Sequence, residues 1–141
     1  MIFHSTQQTV SWFIDRYRDG SLTLRPPYQR KPVWTAKQRC SLVESVLLGL
    51  PIPEVFVQQT TTAEGVTTWA VVDGQQRIRT LIEFVGVSSG TDGPEKPGFV
   101  LDRVSPQSAW RNESFATLTE ESKRSFFQYV MAVPLLNGIV W

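Results

Sequence analysis

Val71-Val72-Asp73-Gly74-Gln75-Gln76-Arg77-Ile78-Arg79-Thr80-Leu81 reads as a strand, a tight turn and the start of a helix. Thr67-Thr68-Trp69-Ala70 extends the strand backwards with β-branched and aromatic residues, and Asp73-Gly74 is a turn pair. Beyond the turn, Ile78, Leu81, Ile82 and Val85 recur at i, i+3, i+4 and i+7, which predicts a helix packed by one face against the sheet. Arg77 and Arg79 then lie in its first turns. A helix N-terminus carries roughly half a positive charge and unpaired N–H groups, so cations there cost up to about 1 kcal/mol each unless an anion lies between them. Phosphate is the usual anion at a strand-to-helix turn.

The residue types suit that ligand. Arg77 and Arg79 supply charge-assisted hydrogen bonds to phosphate oxygens, Thr80 a hydroxyl, and Gln75 and Gln76 backbone N–H groups beside the close approach that Gly74 permits. Asp73, at the end of the strand, either binds a magnesium ion that bridges the phosphates or caps the helix. The plain alternative for the whole motif is a capped turn with solvated arginines.

Upstream, Arg25-Pro26-Pro27-Tyr28-Gln29-Arg30 is a proline-stiffened loop followed by Trp34. Preorganised backbone loses less entropy on binding, so Tyr28, Gln29 and Arg30 suit a planar base and its phosphates. The alternative is a rigid surface turn, with Trp34 and Tyr28 packed as aromatic residues commonly are.

Around these segments the chain alternates helices and strands. A first helix is predicted after Ser11, acting as N-cap, as far as Gly20, and Ser21 to Leu24 alternates as a short strand. Thr35 with Gln38 makes a capping box for a second helix, whose apolar stripe is Cys40, Val43, Val46, Leu47 and Leu50 before Gly49 and Pro51 end it. Glu54 to Gln58 and Thr67 to Val72 read as a strand pair joined across Thr60–Gly65. Ser88 to Gly98 reads as a loop, and Thr117 with Glu120 as the cap of a last helix through Tyr129. Pro134 and Gly138 keep the tail Met131–Trp141 out of that helix. An α+β domain with a small mixed sheet flanked by helices follows.

With 141 residues, 41% of them hydrophobic, the chain suits one compact domain over 1–141 and leaves no room for a second. Its formal net charge of +1 excludes a protein that coats polyanions with its whole surface. The charge is uneven: residues 1–50 carry Arg16, Arg18, Arg25, Arg30, Lys31, Lys37 and Arg39 against Asp15, Asp19 and Glu44. One cysteine, Cys40, excludes an internal disulfide, and its place on an apolar stripe predicts a buried thiol. The single histidine, His4, is expected near a frayed end and completes no zinc set, which excludes a histidine-dependent nuclease centre within this chain. Hydrolysis would rest on Asp, Glu, Gln and Arg around a metal ion. No stretch approaches the roughly 18 apolar residues of a membrane span and no leader pattern opens the chain, so a cytoplasmic protein without membrane contact is expected, its Asn112-Glu113-Ser114 sequon a chance one.

Taken together, Pro27-Tyr28-Gln29-Arg30 with Trp34, the segment Ser45-Val46-Leu47-Leu48-Gly49-Leu50-Pro51-Ile52-Pro53, and Asp73-Gly74-Gln75-Gln76-Arg77 with Thr80-Leu81 resemble the N-terminal domain of GmrSD-type modification-dependent restriction systems, a branch of the ParB/sulfiredoxin-like fold. The resemblance covers roughly residues 5 to 135. It implies that Asp73, Gly74, Gln75, Gln76 and Arg77 bind and hydrolyse a nucleoside triphosphate with magnesium, with Gln29 and Arg30 facing the same site. It also implies partners: DNA, in modified form, and a nuclease domain or partner protein in trans. Such proteins continue into a Phe-x-Arg-x-Asn segment, a helical region and often a nuclease domain, whereas this sequence stops at Trp141. A truncated gene, a second polypeptide and a fragment are the three ways to read that difference.

Three functions are therefore open. The first is a nucleoside-triphosphate-binding, hydrolysing domain of a phage-defence restriction system. The second is a DNA-binding module without turnover, its phosphate contacts made by Arg16, Arg18, Lys31, Lys37 and Arg39 and steeply salt-dependent. The third is a remnant that acts only with a partner chain. The first fails if carboxylates already neutralise Arg77 and Arg79 and no cleft lies beside them.

Overall fold

A computed structural model describes residues 2–24, 34–86 and 98–137. In chain order the elements are β1 (Ile2–His4), β2 (Gln7–Thr9), α1 (Val10–Arg18), β3 (Leu22–Thr23), α2 (Ala36–Leu47), β4 (Phe56–Thr61), β5 (Thr67–Asp73), α3 (Gln75–Val85), a 3-10 turn (Phe115–Thr117), α4 (Glu120–Gln128), β6 (Val130–Ala132) and β7 (Leu135–Asn137). Five strands form one sheet in the order β1-β7-β4-β5-β3, while β2 and β6 pair as a separate antiparallel ribbon. The sheet is mixed: β4 pairs antiparallel with β5 and parallel with β7, and β3 lies parallel to β5. This is the α+β architecture that the sequence predicts.

The core follows from the periodicities. Val57 and Val71 stand opposite each other on β4 and β5 and are both buried, and Ile78, Leu81, Ile82 and Phe84 give α3 its buried face. Cys40, Leu42, Val43 and Val46 do the same for α2, which packs against α3. Phe84 meets Phe126 of α4 at 5.5 Å and Phe115 at 6.0 Å between ring centroids, an aromatic cluster that ties the last third of the chain to the sheet layer. Each such fully buried large side chain contributes about 1.5–3 kcal/mol.

Local hydrogen bonds move several boundaries from their expected places. The N-cap of α1 is Thr9 and not Ser11, because the Thr9 hydroxyl accepts from the Trp12 N–H at 3.1 Å. The cap of α4 is Thr119, which accepts from the Ser122 N–H, while Thr117 is spent on the preceding 3-10 turn. Leu50 lies beyond α2 and is exposed, so the buried stripe ends earlier than the periodicity implies. His4 is not in a frayed end: β1 pairs with β7, and the His4 ring lies 3.2 Å from the Asn137 amide. Cys40 is buried as expected. The loop reading of residues 88–97 and the residues after Asn137 lie outside the described residues.

Candidate functional site

The corner between β5 and α3 is built by the β4–β5 pair. Phe56 stands opposite Asp73 and Val57 opposite Val71, so the register shifts between the two pairs and Val72 is the extra residue on β5. That irregularity lays Glu54 and Val55, just before β4, alongside Gly74. Gly74 is the N-cap of α3, in the left-handed region at φ +94°, and no side chain caps the helix. A side chain at this position would be strained by its dihedral. It would also be crowded, because a Cβ would stand 3.0 Å from both Val55 Cγ2 and Arg77 Nη2, which would have to give way slightly. The close approach that glycine permits is thus used by the Arg77 guanidinium, which folds back across the turn.

Arg77 Nη2 donates to the Glu54 carbonyl at 2.7 Å. Its Nε is buried and has no hydrogen-bond partner among the described residues. A buried N–H left unpaired costs about 1–3 kcal/mol, so the guanidinium is held in place but not satisfied. Gln75 donates its side-chain amide to the Val71 carbonyl at 2.7 Å, pinning the helix start to the strand. The Gln76 side chain has no hydrogen-bond partner among the described residues, and Asp73 is exposed at the end of β5 instead of capping the helix. Among the described residues the ion pair is Arg16 with Asp19, at 3.8 Å, so no described carboxylate neutralises Arg77 or Arg79.

Beside Arg77 lies a cavity of about 420 Å³, lined by Trp34, Lys37, Gln38, Ser41, Leu42, Ser45, Pro53 and Arg77. Its far wall is α2, fixed by the capping box in which Thr35 and Gln38 bond each other's backbone N–H. Trp34 also lines the cavity, and Arg39 Nη1 donates to the Trp34 backbone carbonyl at 2.9 Å. A cleft bounded by a cation that lacks a carboxylate partner is the outcome that keeps the phosphate reading open.

Not every sequence candidate gathers there. Arg79 is exposed and lines no part of this cavity, and Thr80 is 1% exposed, on the core face of α3. Tyr28, Gln29 and Arg30 lie outside the described residues. Among the described residues no group of three or more His, Cys, Asp or Glu side chains clusters to hold a metal ion. Ser41 and Ser45 were not legible as site residues, and Lys37 reads from the sequence only as a DNA-phosphate contact: polar positions spaced i, i+4, i+8 opposite an apolar stripe look like any solvated helix face.

The family model for the N-terminal domain of the GmrSD restriction endonuclease matches residues 10–135. The chain belongs to this family. The match runs from the start of α1 into β7, so it includes the β5–α3 corner and both walls of the cavity. Neither curated proteins nor solved structures yield a match. Membership gives this GmrSD N-terminal domain a role in a restriction system. Among the described residues no helix of the domain is long and apolar enough to cross a membrane.

Proposed function

We propose that this GmrSD N-terminal domain binds and hydrolyses a nucleoside triphosphate at the N-terminus of α3, as the regulatory part of a phage-defence system that restricts modified DNA. The observation that carries the reading is the state of that helix end. It has no side-chain cap, no described carboxylate opposes its two arginines, and a cleft opens beside the inner one. Four backbone N–H groups at a helix start need acceptors, and a phosphate is the acceptor whose charge also answers the arginines.

In this reading the roles divide by what each side chain already does. Arg77 stabilises charge on the phosphates. Gln75 positions the corner through its bond to Val71, which leaves Gln76 to orient an attacking water. Asp73, an exposed single carboxylate, fits a magnesium site of the kind completed by substrate phosphates, and the ion would supply charge neutralisation there. The DNA and the nuclease partner of the system belong to the same reading.

The test is a titration of the common nucleoside triphosphates in magnesium buffer against wild type and Arg77→Ala. Binding by at least one of them is expected. The substitution should weaken it about tenfold or more, in line with roughly 1.5–3 kcal/mol for hydrogen bonds to charged groups. No binding by any triphosphate, or binding indifferent to Arg77, overturns the reading.

A further inference from the structure

We infer that the cavity between α2 and the Pro53–Arg77 corner is the subsite for the nucleotide's base, with Lys37, Ser41 and Ser45 as the wall that meets the ring's polar edge. The inference rests on the triphosphate reading and assigns a part of the ligand that the helix N-terminus leaves unplaced. A volume of about 420 Å³ is that of a small-molecule pocket, which typically spans roughly 300–1,000 Å³.

The lining has two characters that bare phosphate would not need together. Trp34, Leu42 and Pro53 are among the lining residues and most of the exposed lining is apolar, which suits a flat ring. Lys37, Ser41 and Ser45 follow one another along α2 at i, i+4 and i+8 and face the same space. Neither serine hydroxyl has a hydrogen-bond partner among the described residues, so both remain able to donate or accept. Arg77, in the first turn of α3, lines the same cavity. An apolar slot with a polar edge, opening onto an anion-binding helix end, is complementary to an aromatic base joined to phosphates. Inorganic phosphate would use only one end of it.

The measurement is the ratio of affinities for a nucleoside triphosphate and for inorganic tripolyphosphate, by calorimetry in magnesium buffer. Wild type should bind the nucleotide about tenfold more tightly or better, the scale of one base–aromatic stack. Ser41→Trp, at an exposed helix position, fills the cavity and should bring the ratio close to one. Trp34→Ala should reduce it without filling anything, and a thermal melt of each variant shows that it is folded. If Ser41→Trp keeps the full nucleotide advantage while Arg77→Ala weakens both ligands, the base lies elsewhere and this inference fails alone. If wild type binds neither ligand, the triphosphate reading fails and takes this one with it.

Discussion

Helices α4 and α3 begin with opposite electrostatics. At α4, Thr119 caps the first turn through the Ser122 N–H, and Glu120 and Glu121 place negative charge against the positive end of the helix dipole. At α3 the cap is a glycine with no side chain, no acid lies in the first turn, and Arg77 puts positive charge there instead. The first helix end is complete within its own sequence. The second is left needing acceptors, and among the described residues Arg77 finds one carbonyl, that of Glu54. A helix end that folding alone would stabilise looks like α4, and on the proposed triphosphate reading the departures at α3 mark where stability is yielded to a ligand.

The largest break in this comparison should come from Gly74→Ala. The left-handed dihedral costs a Cβ-bearing residue about 1–2 kcal/mol. Two contacts at 3.0 Å, with Val55 and Arg77, add to that. A urea melt should show a loss of about 2 kcal/mol or more, with the Arg77–Glu54 contact displaced and triphosphate binding lost. A change within experimental error would mean that the corner relaxes freely and that Gly74 is not what seats Arg77.

Removing the cap at α4 is the smaller counterpart. Thr119→Ala should cost about 1 kcal/mol and leave ligand affinity untouched, since this helix end lies outside the proposed site. Thr35→Ala should cost a similar amount at α2, where the capping box is lost. It should also weaken nucleotide binding relative to tripolyphosphate, because that box holds the cavity's far wall. Equal ratios in the two variants would detach α2 from the site.

The finest test exchanges charges at matching positions. Gln76 and Glu121 are each the second residue of their helix. Gln76→Glu should stabilise the fold by about 0.3–1 kcal/mol, and Glu121→Gln should destabilise it by a similar amount, as the dipole requires. The same Gln76→Glu should weaken triphosphate binding, so stability and function move in opposite directions at α3 alone. Parallel changes there would remove the contrast between the two helix ends.

Much of this was readable from the sequence where the deciding interactions are short in range. The strand-turn-helix corner, the Thr35–Gln38 capping box and the buried Cys40 each depend on residues a few positions apart or on a repeating period. The caps of α1 and α4 were misplaced by two residues because two hydroxyls compete at each end, and only backbone geometry selects Thr9 and Thr119. The same limit hid Leu50, whose spacing matches the α2 stripe although the helix has ended before it.

By itself the sequence determined that an arginine pair would begin a helix after a glycine turn, because period and turn chemistry are local. Tertiary structure decided what surrounds that pair. The register shift between Phe56 and Val57 brings the Glu54 carbonyl to Arg77, and the packing of α2 on α3 sets Lys37, Ser41 and Ser45 across a cavity from it. Those contacts join residues more than twenty positions apart, where burial and strand pairing choose the neighbours and no repeat along the chain announces them.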